Sequence, residues 1–568
     1  VSIVPVRVGD RPWTFPLKFN GWTATVIAIA LLLSSPIFLV LSSLFADSGD
    51  IWQHLITTVL PGYIANSLFL VLGVGIGVLA IGTATAWLVT MCRFRGSRLF
   101  EWSLLLPLAA PAYLLAYVYT ELLEYYGPVQ TSLRNIFGWE SAQDYWFPDI
   151  RSTWGAIVML VLVLYPYVYL LARVAFLEQS VCTLEASRTL GCNPWKSFRK
   201  VALPLARPAI TAGLALALME ALSDFGTVEF FGVPTFTVGI YRWFKERGAY
   251  QMGAYQMSAC LLLFVLCLII LEQQARRRAK YHQMSSPYQE MQRYPLTGKR
   301  GAIAWICCFL PVCLGFVLPM GILLHMTIVN AEKTLNREFW SLASHSLILA
   351  SATAAIAVIL ALVLAYGQRL QPSFGMKLSV RVAALGYAVP GTVIAVAILP
   401  TTGYLDNRID SWMESTFNIS TGLVFSGTIF ALIFAYLVRF LAVSFNTVES
   451  SLGKIKPSLD DASRSLGYSP AKTLVKIHTP LMSGGLLTAA MLVFVDVMKE
   501  LPATYTIRPF NFDTLAVQVY QYASDERLIE ASAPALAIIL VGLIPVIFLS
   551  WKIAQSRQVP SLGLRGDR

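Results

Sequence analysis

The stretch Glu185-Ala186-Ser187-Arg188-Thr189-Leu190-Gly191-Cys192-Asn193-Pro194-Trp195-Lys196, continued by Leu203-Pro204-Leu205, occurs twice in the chain. Its second copy is Asp461-Ala462-Ser463-Arg464-Ser465-Leu466-Gly467-Tyr468-Ser469-Pro470-Ala471-Lys472, continued by Thr479-Pro480-Leu481. Aligning Glu185 to Ile210 with Asp461 to Leu486, at a constant offset of 276, gives ten identities in 26 ungapped positions. Self-similarity at a fixed offset marks an internal repeat. An offset of half the chain is too long for a solenoid and reads as two copies of one domain fused head to tail. Each copy is short, polar and basic and lies between strongly apolar runs, as expected of a docking element held outside a membrane.

The 568 residues are 56% hydrophobic and only 13% charged, with a mean hydropathy of +0.63. Soluble proteins carry about 25% charged residues, so the composition is that of an integral membrane protein. The formal charge of +11 does not imply a nucleic-acid partner, because the basic residues sit in short clusters beside apolar segments, where membrane topology accounts for them. The eight cysteines show neither zinc spacing nor a disulfide framework and read as small buried hydrophobes.

Apolar runs predict an all-α membrane protein of twelve spans, six in each half. The first half has spans near 22–45, 64–91, 102–119, 154–176, 209–225 and 254–271. The second repeats them near 302–329, 346–366, 382–399, 422–443, 484–498 and 533–551. The first, 22–45, is long enough to cross a hydrocarbon core of about 30 Å at about 1.5 Å per residue. The run after Arg7, Arg11 and Lys18 reads as a retained helix, since it exceeds a usual signal-peptide core and Leu44-Phe45-Ala46 is a poor cleavage site. The predicted organisation is a first half at 1–275, a basic cytoplasmic linker at 276–301 and a second half at 302–568, with the polar elements at about 177–207 and 449–483. Further echoes appear at an offset of 279: Asn66-Ser67-Leu68 with His345-Ser346-Leu347, and Pro111 with Pro390.

With both termini inside, 32 of the 43 Lys and Arg residues fall on inner segments, and each inner loop satisfies the positive-inside rule. Both polar elements then face the cytoplasm, and the aromatic, acidic loops face out. Within each element Gly191 and Gly467 suit a left-handed helix C-terminus, and Pro194 and Pro470 suit the first turn of the next helix. A helix, a sharp turn and a second helix is also ordinary loop packing. Duplication argues for more, because a surface turn has no packing reason to keep Ala, Ser, Arg, Leu, Gly, Pro and Lys in register unless both halves meet the same thing.

These residues resemble the permease subunits of ATP-binding-cassette importers, whose cytoplasmic loop carries E-A-A, three residues, G, nine residues, then I-x-L-P, a spacing both copies keep. The first copy matches at Glu185, Ala186, Gly191, Leu203 and Pro204, with Ser187 and Val201 as substitutions. The second matches at Ala462, Gly467, Ile477 and Pro480, with Asp461, Ser463 and Thr479 as substitutions. The resemblance implies that both loops are coupling helices for a separate ATPase. It narrows at Phe231-Gly232-Val233-Pro234-Thr235-Phe236-Thr237 and at Lys499-Glu500-Leu501-Pro502-Ala503-Thr504, which look like the fused permeases of ferric-iron importers. Fused permeases for thiamine, and relatives for phosphonates or polyamines, share the architecture.

No G-x-x-x-x-G-K-[ST] loop occurs, so ATP and Mg belong to a partner subunit, and this chain is read as a transport subunit with no bound cofactor. The resemblance implies two copies of a cytoplasmic ATPase, a periplasmic binding protein, a bacterial inner-membrane location and alternating access. The five histidines are dispersed, and His345 reads as a hydrogen-bonded helix-start residue. Glu220 and Asp224, four apart and so expected on one helix face, coincide at an offset of 276 with Asp496 and Glu500. Carboxylates within a membrane cost about 2.5–3.5 kcal/mol on insertion scales and usually face a bundle interior or watery cavity. They read either as a pathway lining related by the internal two-fold or as interface residues paired with Lys or Arg, Lys499 being one such partner. As pathway residues they form a weakly attractive vestibule, since tight chelation would hold an ion instead of releasing it. The rival of another class is an ion-driven secondary transporter with parallel repeats.

Overall fold

The computed structural model describes residues 21–46, 50–179, 189, 191, 193–246, 250–277 and 293–556. Among them nine helices are long and apolar enough to cross a membrane, and the count rises to twelve if each of three sharply bent helix pairs is one span. The molecule is an all-α membrane bundle in two related halves. The strand pairing among the described residues is one parallel two-residue bridge, Cys92–Arg93 with Tyr294–Pro295, which ties the end of the inter-half linker to the end of the Leu60–Met91 helix.

The third and ninth spans depart from the straight helices expected at 102–119 and 382–399. Ser97–Ala109 meets Ala112–Phe137 at 90°, and Phe374–Ala388 meets Gly391–Phe417 at 113°. The cause is the echoed proline. Pro111 and Pro390 lack a backbone donor and push the preceding residue out of the helical region. Ala110 and Val389 are accordingly extended, with ψ of 123° and 125°. In the eleventh span Pro470–Leu481 lies at 83° to Ser483–Met498, so the second polar element runs across the end of the bundle instead of along it.

The main scaffold of each half is a long helix packed on its neighbour through small residues. On Leu60–Met91, Gly73, Gly77 and Gly82 let the Thr153–Glu178 helix approach so closely that a Cβ at Gly82 would lie 2.9 Å from the Tyr165 carbonyl. On Arg337–Leu370, facing Ile429–Gly453, buried Ala350, Ala354, Ala357 and Ala361 fill the same role. Small residues at such seams are what close van der Waals packing within lipid requires.

The halves are interlocked by their leading helices. Gly21–Ser42, from the first half, packs on the second: Thr23 Oγ1 donates to Gln371 Oε1 at 2.8 Å, and the Trp22 and Tyr366 rings meet edge-on at 5.5 Å. Conversely, the leading helix of the second half, Gly298–Val329, packs on the first, where Tyr119 OH donates to the Leu314 carbonyl at 2.7 Å. The pseudo-two-fold is exact enough to duplicate individual hydrogen bonds. Ser67 Oγ accepts from Phe236 N at 3.2 Å, and Ser346 Oγ from Leu515 N at 2.9 Å. Asn66 Nδ2 donates to the Pro234 carbonyl at 3.1 Å, and His345 Nδ1 contacts the Asp513 carbonyl at 3.2 Å while its ring stacks on Phe512.

Candidate functional site

The second polar element is fully described. Helix Ser458–Ser465 carries Asp461, Ala462 and Ser463 and ends in a left-handed Gly467 with φ of 77°. Gly467 N donates to the Arg464 carbonyl at 3.0 Å and Tyr468 N to the Ser463 carbonyl at 3.1 Å, the paired bonds of a Schellman turn. Ser469 then caps Pro470–Thr473, accepting from Lys472 N at 3.4 Å. The two arms are pinned by the Ser463 and Thr473 hydroxyls, 2.6 Å apart and both buried. A five-residue π turn, Leu474–His478, precedes Pro480, whose missing donor disfavours a continued α ladder. The tip displays Leu466, 75% exposed, with Val475 and Leu481 also exposed. An apolar tip on a polar, basic element is what a protein partner can cover.

In the first copy Glu185, Ala186 and Ser187 lie outside the described residues. What is described repeats the pattern. Gly191 is left-handed at φ 74°, Asn193 Oδ1 accepts from Lys196 N at 2.8 Å, and a π turn at Phe198–Ala202 precedes Pro204. Among the described residues here Trp195 is 64% exposed.

The copies differ in how they are anchored. Behind the second, Asp460 accepts from Arg369 Nε at 2.9 Å and Nη2 at 2.6 Å, and its other oxygen lies 2.7 Å from His478 Nε2. Arg369 also donates to the Leu452 and Ile455 carbonyls, at 2.7 and 3.0 Å. Behind the first, Trp87 packs on Phe176 and Phe198 with ring centroids 5.6 and 4.9 Å apart. At the repeat offsets Leu184 and Ala202 stand where Asp460 and His478 do, so the second copy adds an ionic anchor to its ring contact, Tyr366 on His478 at 5.3 Å, while the first, among the described residues, is anchored by rings. Sequence reasoning missed this difference, although the two lists of aligned residues contain it.

The four carboxylates separate into two symmetric pairs with different surroundings. The helices Leu203–Ser223 and Ser483–Met498 stop before Asp224 and Glu500, so the four-residue spacing does not put each pair on one continuous helix face. Asp224 instead caps Gly226–Phe230, accepting from Thr227 N and Val228 N at 3.1 Å each and from Thr227 Oγ1 at 3.0 Å. Glu500 caps Pro502–Ile507 in the same way, accepting from Ala503 N and Thr504 N at 2.9 Å each. It also accepts from Arg439 Nη1 at 2.7 Å, a lone cation on the Ile429–Gly453 span whose presence in an apolar run was the available signal.

Glu220 and Asp496 lie closer to the seam between halves. Tyr387 OH donates to Glu220 Oε1 at 3.5 Å, and Tyr167 is hydrogen-bonded to Tyr387 within reach of both carboxylates. Asp496 Oδ1 pairs with Lys499 Nζ at 2.9 Å, the partner anticipated from sequence. Beyond them the short helices bring Phe225, Tyr241, Tyr505 and Tyr520 together. Tyr505 lies 4.9 Å from Tyr520 and 5.7 Å from Tyr241, and Phe225 lies 5.1 Å from Tyr241. Tyr241 and Tyr520 are equivalent at the offset of 279, a relation readable in the sequence. Among the described residues no group of three or more His, Cys, Asp or Glu side chains is placed to hold a metal ion. The arrangement is a seam with charged and hydroxyl groups on one side of an aromatic plug and the two polar elements at the far end.

Comparison with known proteins agrees with this geometry. The family described as binding-protein-dependent transport system inner membrane component matches twice, at residues 77–281 and 357–556. A Fe(3+)-transport system permease protein of Haemophilus influenzae is 26% identical over 495 residues, covering 86% of this chain and 89% of that protein. A ferric transport system permease protein of Actinobacillus pleuropneumoniae is 23% identical over 564 residues, covering 95% and 79%. A molybdenum transport system permease protein of Escherichia coli is 29% identical over 205 residues, covering 35% of this chain and 86% of that protein.

Proposed function

Because this chain belongs to the binding-protein-dependent transport system inner membrane component family, we propose that it moves ferric iron, or a ferric complex, from a periplasmic binding protein into the cytoplasm by alternating access. It is a transport subunit of the inner membrane. In this reading its two units, 1–275 and 302–568, joined by the basic linker 276–301, build both halves of one pore, with both termini cytoplasmic. Two copies of a cytoplasmic ATPase, carrying ATP and Mg, dock on the two polar elements. The contacts are assigned to Glu185, Ala186, Ser187, Gly191 and Pro204 in one and to Asp461, Ala462, Ser463, Gly467 and Pro480 in the other. Closure of the ATPases draws the elements together, and the differential contact this requires is made at those elements.

The observation that carries the reading is the left-handed glycine and capped following helix found in both copies, displayed with an exposed apolar tip in the second. Glu220, Asp224, Asp496 and Glu500 are assigned to the substrate pathway in unequal ways. Glu220 and Asp496 attract the ion at the seam, while Asp224 and Glu500 hold the short helices that carry the plug. The ferric assignment rests on the relatives that span most of the chain. Reconstitution with the cognate ATPase and binding protein tests it: radioactive iron uptake should require ATP and both partners. Uptake driven by an ion gradient without the ATPase, or a binding protein that carries molybdate instead of iron, would overturn it.

A further inference from the structure

The end of the inter-half linker lands on the first half at the corner where the Leu60–Met91 helix stops. Leu296 N donates to the Arg93 carbonyl at 2.9 Å, and the leading helix of the second half then starts at Gly298. That helix lies against the short arm Ser97–Ser103: the Phe100 and Trp305 rings meet edge-on at 6.0 Å, and a Cβ at Gly96 would lie 3.7 Å from Trp305 Nε1. The crease so formed gathers five exposed cations, Arg93, Arg95 and Arg98 from one side and Lys299 and Arg300 from the other. Among the described residues none of the five is in an ion pair. Glu101, the one carboxylate of the arm, is already shared by Arg173 at 3.0 Å and Arg293 at 3.3 Å. Like charges gathered without a counter-charge repel one another and concentrate anions.

What borders the cations identifies the anion. Leu99 and Trp102 on the arm, with Trp305, Ile306 and Leu310 on the facing helix, are 40–54% exposed. Along that helix Trp305 stands about 8 Å and Leu310 about 15 Å beyond Arg300. Charge, indole and aliphatic side chain thus follow one another in the order of a phosphate headgroup, the interfacial zone and an acyl chain. The arm also recurs at the offset of 279, where Lys377, Leu378 and Arg381 stand for Arg98, Leu99 and Trp102, and Leu378 is 51% exposed.

We infer that the crease holds an anionic phospholipid of the leaflet on the polar-element side, its phosphate among Arg95, Arg98, Lys299 and Arg300 and its chains on Leu99, Trp102 and Trp305. A soluble acidic partner would match the cations but not the aliphatic face that continues from them, whereas one lipid meets both. The lipid ties the linker end and leading helix of the second half to an arm of the first. It does so beside Trp87, which lies 6.5 Å from Tyr294 and packs behind the first polar element on Phe198. Nothing in this depends on the cargo, so the inference stands apart from the ferric reading.

The test counts phosphatidylglycerol bound to the full chain in detergent, by native mass spectrometry, in competition with phosphatidylcholine. Each basic residue strengthens the attraction of anionic lipid about fivefold, so Arg95→Gln with Arg98→Gln should weaken phosphatidylglycerol binding about tenfold or more, and Lys299→Gln with Arg300→Gln likewise. Arg95→Lys with Arg98→Lys keeps the charges and should restore binding, which separates a lost lipid from a lost fold. Lys333→Gln with Arg337→Gln, an equal loss of charge at exposed positions past the far end of the Gly298–Val329 span, should change nothing. In nanodiscs, hydrogen exchange across 293–300 should slow when phosphatidylglycerol replaces phosphatidylcholine around the wild type, and not around R95Q/R98Q. Equal weakening by the Lys333 and Arg337 changes would reduce the effect to net charge and overturn the site. Displacement of the lipid by an equal concentration of glycerol phosphate would overturn the part given to the chains. Unchanged lipid binding in both crease variants, with weaker ATPase binding, would overturn the lipid in favour of a protein partner.

Discussion

Replacing Asp460 with alanine removes the carboxylate that Arg369 and His478 share behind the second polar element. Removing one partner of a buried ion pair costs about 3–5 kcal/mol, because the other charge is left uncompensated. Here the two side chains are 15% and 18% exposed, and Arg369 keeps the Leu452 and Ile455 carbonyls as acceptors. The loss therefore falls at the low end, about 3 kcal/mol, or roughly a hundredfold in the local opening equilibrium. His478, fully buried, also loses its Nε2 partner. Hydrogen exchange of the chain in nanodiscs should become roughly a hundredfold faster across 454–481, while 193–207, held by Trp87 and Phe198, stays protected. Transport per ATP hydrolysed should fall in parallel, and Asp460→Asn, which keeps the shape without the charge, should give a smaller effect. Unchanged exchange across 454–481, or equal loss of protection in both elements, would refute the argument that the two copies are anchored by different chemistry.

Gly467→Val places a β-branched residue at φ 77°, where no neighbour crowds the Cβ, so the cost is backbone strain alone, about 1–2 kcal/mol. ATPase binding to detergent-extracted protein should weaken, whereas Gly453→Ala, also in open space, should not change it. Gly391→Ala puts a Cβ 2.5 Å from Arg439 Nη1 and 2.7 Å from Glu500 Oε1, displacing the Arg439–Glu500 pair. A loss of about 1–3 kcal/mol is expected for such overpacking, read as a lower midpoint of thermal unfolding. Tyr505→Ala removes the ring at the centre of the plug, and each aromatic contact there is worth about 0.5–1.5 kcal/mol. Passive leak of small ions through the reconstituted protein should rise, and an unchanged leak would show that the plug does not seal the seam.

Much of the architecture was legible because lipid imposes simple rules. Apolar runs of spanning length, basic loops and a duplicated polar stretch survive in one dimension, and so do the left-handed glycines, since Gly191 and Gly467 are demanded by local geometry. Pro111 and Pro390 were visible as an echo, yet the straight spans expected there are bent by 90° and 113°. Local sequence says that a proline interrupts a helix, but the angle depends on what each arm packs against. The carboxylates teach the same lesson. Their repeat offset is a sequence property, whereas their separation into caps at Asp224 and Glu500 and seam residues at Glu220 and Asp496 depends on where two helices stop.

The chain by itself therefore determined membrane class, duplication and the left-handed glycines of both polar elements, because each follows from the solvent a residue must face or from a backbone angle it must adopt. Tertiary structure alone decided that each leading helix embraces the opposite half and that the Arg369–Asp460–His478 knot stands behind the second polar element. It also decided that Arg151 and Glu526, 375 positions apart, meet across the two halves. Those facts depend on distances between residues remote in sequence, which no local rule of charge, periodicity or turn chemistry encodes.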